Sequence, residues 1–402
     1  MFKMNNVFDE LYSYMESIRV INTHSHHPED KFFLDLDLEK ILKTSYAEWC
    51  GVSFDNTLEK REDYLNRVRY NSYFIWLEKA LQKIYQFDCP ISSDNWDTIS
   101  NTISEAYKQG NYHLDILQNE CKYEKVILDN VWDSGSVNGH QDIFVPTYRV
   151  NVFLYGYSDK VVDRYGNNPK KLFNINTKDI DEYVALMENV IVERKQSGTV
   201  ALKSIGAYER TLDYSVVSKD RASRVLKLDD HSRTKKDIKE FEDYIFFEIC
   251  RIAAKYDLPI QCHTGLALLE KTNAMELNEV IKNNPDTKFV LFHGSYPWLE
   301  DIYALTHNYK NVYPDICWLP LVSPSSAERM VEELIEVSTV DRICWGCDSH
   351  SSEESMGALL AARFSIARAL SKKVKCGYFS TGDAKKIIYN ILYNNPKMLY
   401  KL

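Results

Sequence analysis

Three of the chain's ten histidines fall within four positions of the stretch VINTHSHHPED, residues 20–30. His24 and His26 are two apart and follow an apolar run. In an extended strand that spacing puts both side chains on one face and turns His27 to the other. Other apolar runs downstream end in similar fashion. Lys203 lies in TVALKSIG, His263 in QCHTG, His293 in FHGS and Asp348 in GCDS. Taken singly, each has an ordinary explanation: a hydrogen-bonded core histidine, a capping aspartate, a lysine extended toward the surface. Taken together, they are six protonatable or metal-competent residues at the ends of five apolar runs. Burying them without partners would be costly, and a shared metal centre accounts for all of them. A His-x-His pair with a further His and an Asp suits a borderline ion such as Zn²⁺. With a position open, such an ion lowers the pKa of a bound water to ~7. Asp348 is then placed to bind the ion and to move a proton from water to a leaving group.

Positioning these residues requires a particular order of elements. Eight short strand candidates run through the chain, at 19–26, 123–132, 143–153, 199–206, 258–265, 288–295, 311–318 and 342–349. Several are nearly continuous apolar runs, the pattern of parallel strands covered on both faces. Segments with helical spacing lie between most of them, and further helical segments follow the last. This order predicts an α/β (β/α)8 TIM barrel, whose chemistry belongs at the C-terminal ends of its strands. An open doubly wound sheet is the alternative, but no glycine-rich phosphate loop marks one. Residues 28–120 interrupt the rhythm with helical periodicity and no clear strand. They read as a helical insertion between strands 1 and 2, set at the barrel mouth of a single 1–402 domain.

The motifs resemble the amidohydrolase superfamily: His-x-His on strand one, Lys on strand four, His on strands five and six, Asp on strand eight. ALKSIGAYERTL, QCHTG and FHGSYPWLED are similar to the branch of uronate isomerases, decarboxylases and the amidohydrolase-like domain fused to some glutamine synthetases. The resemblance implies a principal metal held by His24, His26, His263 and Asp348. It implies that His293 is a second-metal ligand or polarises the substrate. In two-metal members the strand-four lysine is carboxylated and bridges the ions. The KSIGAYER context supports the other arrangement, one ion with a cationic Lys203 that binds a substrate carboxylate together with Tyr208 and Arg210.

The expected activity is a metal-dependent hydrolase acting on an amide, lactone or ester of a small carboxylic acid. A decarboxylase or sugar-acid isomerase on the same site is the alternative. A Lys203 Schiff-base lyase and a non-catalytic binding protein are the remaining ones. His27, Trp298, Trp318 and His350, and Trp49, Arg67, Arg69 and Trp76 of the insertion, are weaker pocket candidates.

Composition narrows the partners. The net charge is −9, and no dense basic stripe exists for a phosphate backbone. No apolar run reaches the ~18 residues of a membrane span. The N-terminal MFKMNNVFDELYSYMESIRV lacks the order of a signal peptide and reads as an amphipathic helix. Nine scattered cysteines fit reduced thiols in a cytoplasmic protein. The CWGC pair at 344 and 347 lies in a strand candidate, a poor setting for a redox dithiol. A small-molecule substrate is expected, with a homo-oligomer possible.

Overall fold

The computed structural model describes residues 6–52, 56–108 and 110–402. Residues 1–5 of the expected N-terminal helix, and 53–55 and 109 of the expected insertion, lie outside these. Seven strands form one parallel sheet in sequence order: β1 (Val20–Ser25), β2 (Tyr123–Leu128), β3 (Phe144–Arg149), β4 (Ala201–Ser204), β5 (Ile260–Cys262), β6 (Phe289–Phe292) and β7 (Val312–Asp315). The eighth candidate occupies the remaining place between β7 and β1. Cys344 N donates to Pro314 O and Ile316 N to Cys344 O, while Asp348 N donates to His24 O and His26 N to Ser349 O. These bonds join residues 344–349 to strands on either side, although the pairing is a single bridge, Asp315 to Cys344, rather than a regular ladder. The fold is a TIM barrel.

The sequences of the inner strands follow from this closure. β4, β5 and β6 are buried at every residue. One face fills the barrel and the other meets helices, so the alternation of a half-exposed strand is lost. Helices with clear start signals cover the outside. Asp179 caps Ile180–Gln196 through the backbone of residues 181 and 182, and a Thr234–Asp237 capping box opens Lys235–Lys255. The long helix Ser352–Lys375 begins just beyond Asp348. It carries Glu353 and Glu354 in its first turn and three lysines in its last, complementing its dipole.

Between β1 and β2 the described residues are helical or irregular and contain no strand. They have a hydrophobic core of their own, built on Leu38, Ile41, Leu65, Phe74, Leu81, Trp96 and Ile103 among others. Buried carboxylates bind this unit to the barrel. Glu353 receives Tyr85 and Tyr107 hydroxyls, each at 2.7 Å. Glu354 accepts from Tyr46 N at 2.5 Å and from His350 N at 3.0 Å. No helix among the described residues is long and apolar enough to cross a membrane. Cys344 and Cys347 are both buried, and burial pushes both thiols up, which keeps them protonated and unreactive.

Candidate metal centre

The C-terminal ends of the strands converge on a small cavity of about 140 Å³. His24 and His26, at the end of β1, present Nε2 atoms 3.2 and 3.1 Å from the same oxygen, Asp348 Oδ1. One ligand atom from each of the three residues lies within 4.8 Å of the others. Bonds of ~2.0–2.1 Å to a tetrahedral ion put ligand atoms roughly 3.3 Å apart, so this donor set fits a zinc-type ion with little adjustment. The protonation states suit ligation as well. Burial, with Lys203 nearby, lowers His24 to about 3, leaving it neutral. Burial alone would raise Asp348, but hydrogen bonds to His24 and His26 outweigh it and hold the carboxylate well below its usual range. The buried His24 Nδ1 has no hydrogen-bond partner.

Backbone geometry helps to aim these groups. Asp348 and His293 adopt left-handed conformations, with φ of 56° and 66°, and so does Trp318 at 62°. Left-handed backbone is uncommon for such residues, above all for a bulky tryptophan, and concentrates at functional sites. Gly346 allows the eighth segment to press on β1, because a Cβ there would stand 2.6 Å from Thr23 Oγ1 and 2.7 Å from His24 N.

His263 and His293 lie directly after β5 and β6 and face one another, Nδ1 of the first 2.8 Å from Nε2 of the second. His263 Nε2 is 2.9 Å from Leu266 O, and His293 Nδ1 is 3.1 Å from Cys317 O. Both nitrogens of His263 are therefore engaged outside the His24–His26–Asp348 group, although the sequence placed it among the ligands. Burial lowers His263 well below its usual value and His293 to about 4. Lys203 is buried, with Nζ 3.3 Å from His24 Nε2 and 4.2 Å from the Phe292 ring centre. Burial lowers its pKa, opposed by Asp129 and Asp348.

Of the expected carboxylate-binding residues, Tyr208 lines the cavity and packs at a tilt against His263, with ring centres 4.3 Å apart. Arg210 does not reach it. The turn Gly206–Tyr208 carries Arg210 outward to Glu242 at 2.7 Å and Asp243 at 2.5 Å. From the insertion, Trp49 reaches the cavity, whereas Arg67 pairs with Asp63, Arg69 donates to Ile91 O and Trp76 packs against Phe364. His350 lines the cavity and stacks on His26, and Trp318 packs against His293 and Tyr46. Trp298 is not among the lining residues. His27 turns away from the centre.

Several cavity residues were not singled out in the sequence, and Asp129, Arg149 and Tyr46 matter most among them. Asp129 directly follows β2, and its carboxylate receives Arg149, the last residue of β3, through Nε at 2.7 Å and Nη2 at 2.9 Å. Burial would raise Asp129, but Arg149 holds it well below its normal range. The remaining Arg149 nitrogen, Nη1, is buried without an aligned hydrogen bond. Tyr46, from the insertion, stands with its hydroxyl 3.2 Å from Asp348 Oδ2. Asp129 and Arg149 stand at the ends of β2 and β3, the position that drew attention to the histidines, but the strand candidates 123–132 and 143–153 run past both. Tyr46 carries no comparable signal.

The fold as a whole is shared with solved barrels. A uronate isomerase from Thermotoga maritima aligns with a TM-score of 0.79 at 16% identity, covering 99% of this chain and 98% of that one. A glucuronate isomerase from Caulobacter crescentus aligns at 0.78 and 15%, covering 98% and 94%. A Lactobacillus casei protein provisionally named a metal-dependent hydrolase aligns at 0.70 and 17%, covering 97% of each. In sequence, residues 217–402 match the amidohydrolase family model. Protein fluG of Emericella nidulans is 31% identical over 150 residues, which is 36% of this chain and 17% of that protein. The chain thus spans only a small part of that relative's length. Residues 217–402, a little under half of the chain, are thus similar in sequence to the amidohydrolase family, and the whole chain shares its barrel fold with the solved structures above.

Proposed function

We propose that this protein is a metal-dependent hydrolase of small carbonyl compounds that carry a carboxylate, such as amides, lactones or esters. The observation that carries this reading is the pairing of two features across one cavity: the His24–His26–Asp348 donor set, and a buried Arg149 whose Nη1 has no aligned hydrogen bond. A divalent ion of zinc type, held by those three residues, would polarise a substrate carbonyl and acidify a bound water.

The remaining roles fall to side chains. Arg149 Nη1 donates to the substrate carboxylate, with its fork fixed by Asp129 so that little ordering is needed on binding. Arg164, stacked over Tyr208 at 4.6 Å, adds a second positive charge at the entrance. Lys203 supplies a further ammonium donor beside the reacting carbonyl. Asp348 accepts a proton and returns it to the leaving group, with Tyr46 steadying its Oδ2. One ion is favoured over two, because both nitrogens of His263 are engaged by His293 and Leu266 O rather than by the donor set.

A sugar-acid isomerase is the second reading. It is supported by the whole-chain likeness in fold to two isomerases. Both readings need the same carboxylate anchor and metal ligands. Incubation in ¹⁸O-water with lactones, N-acyl amino acids, uronates and aromatic carboxylates separates them. Label in the product supports hydrolysis. Turnover of a uronate without label, or CO₂ release without water uptake, rejects it. Elemental analysis tests the stoichiometry, and two ions bound within the barrel would reject the one-ion arrangement.

A further inference from the structure

His27, the third histidine of the opening motif, takes part in a different cluster outside the barrel mouth. Its Nε2 lies 2.8 Å from Nδ1 of His113, on the short helix Tyr112–Asp115 near the end of the insertion. His113 is 1% exposed. Its other nitrogen, Nε2, is buried without a hydrogen-bond partner and lies 3.3 Å from Asp30 Oδ1. His140, from the turn before β3, brings its Nε2 to 2.6 Å from the same oxygen. One ligand atom each from Asp30, His113 and His140 fall within 4.8 Å of one another.

We propose that Asp30, His113 and His140 form a second divalent-cation site of zinc type, with His27 orienting His113 from behind. An ordinary Asp30–His140 ion pair would explain those two residues, but it leaves the buried His113 Nε2 3.3 Å from the same oxygen without an aligned hydrogen bond to it. Ligand atoms around a tetrahedral zinc stand roughly 3.3 Å apart. The Asp30–His113 separation already has this value, and Asp30–His140 needs to open by less than ~1 Å. For His113 to offer a lone pair at Nε2, its Nδ1–H must donate to His27 Nε2. The 2.8 Å contact provides that acceptor, the usual means of fixing a ligand's tautomer. Phe33 stacks on His113 with ring centres 4.1 Å apart and planes within 4°, fixing the ring's orientation. Asp30 is half exposed, so water can complete the coordination.

The three ligands come from the segment after β1, the end of the insertion and the turn before β3. An ion there ties the insertion to the barrel rim. The site shares no residue with the barrel centre, so it stands or falls independently of the proposed activity.

The test is equilibrium dialysis of untagged, chelator-stripped protein against ZnCl₂, followed by elemental analysis. His140→Gln should bind one zinc equivalent fewer than wild type, and His24→Ala should lose a different one. His27→Phe should keep the fold and weaken only the second site, by about 10- to 100-fold. Should His140→Gln fail to fold, Asp30→Asn, a change at a half-exposed residue, serves in its place. Zinc-soaked crystals should show an anomalous peak between His113 and His140. Equal zinc binding by wild type and the His140 or Asp30 variant overturns the proposal, as does a peak confined to the barrel.

Discussion

Arg149 grips Asp129 through two hydrogen bonds, of 2.7 and 2.9 Å, while its third nitrogen, Nη1, is buried without an aligned hydrogen bond and the guanidinium packs 4.8 Å from the Tyr165 ring centre. The register explains the fork. Asp129 N donates to Ser25 O, which brings it beside β1, and Arg149 pairs with Lys203 across β3 and β4. Arg149→Lys keeps the charge but loses the fork, since an ammonium cannot bond both carboxylate oxygens and the substrate in one plane. The variant should retain its metal and fold. Its KM for a carboxylate-bearing substrate should rise roughly 10- to 100-fold, the value of one charge-assisted hydrogen bond, with a smaller change in kcat. Steady-state kinetics beside metal analysis checks this, and an unchanged KM would remove Arg149 from substrate binding.

Tyr46 gives a contrasting expectation. Its hydroxyl meets Asp348 Oδ2 at 3.2 Å, while Glu354 fixes its backbone. Tyr46→Phe removes one hydrogen bond from the proton-carrying carboxylate and leaves the tether intact. The variant should lose kcat by roughly tenfold with KM nearly unchanged. A melting temperature within a degree or two of wild type would show that the loss is not one of folding.

These residues also mark how far the sequence could be read. The eight strand positions were legible because parallel strands buried on both faces leave long apolar runs, and polar residues ending five of those runs marked the barrel mouth. Asp129 and Arg149 stand at the ends of β2 and β3 too, but the strand candidates 123–132 and 143–153 ran past both, so neither stood at a strand end in the sequence. Their significance depends on β2 and β3 being neighbours, which spacing within one strand does not reveal. Arg210 failed for a local reason: the turn Gly206–Tyr208 redirects the chain toward Glu242 and Asp243. Tyr46 was unreadable because its arrival over Asp348 depends on Glu354, more than three hundred residues away in sequence.

The Arg210 cluster leads to a pH dependence of stability. Burial pushes Glu242 up to about 7, despite Arg210, and neighbouring Asp243 adds to the shift. The folded state therefore binds this proton more tightly than the unfolded state does. The resulting stabilisation is fully present below the unfolded value near 4.5 and is lost as pH rises through 7, with a slope of at most ~1.4 kcal/mol per pH unit. Glu242→Gln keeps an oxygen for Arg210 Nη1 and removes the titration. The melting temperature of the variant relative to wild type should rise between pH 5 and pH 8. A difference that is flat across this range would show that Glu242 does not titrate in the folded protein.

Gly346 links the barrel's closure to its metal centre. A Cβ at this position would stand 2.6 Å from Thr23 Oγ1 and 2.7 Å from His24 N, and the second of these is backbone that cannot swing aside. Gly346→Ala must push residues 344–349 away from β1. That displacement separates Asp348 on one segment from His24 and His26 on the other, whose contacts are 3.2 and 3.1 Å. Overpacking of this kind costs on the order of 1–3 kcal/mol. The loss of metal affinity should exceed what that destabilisation alone explains, because the donor atoms themselves are pulled apart. Thermal unfolding with and without added zinc measures both effects. The variant should melt lower without metal and gain less from zinc than wild type does, and an equal gain would uncouple the strand contact from the ligand geometry.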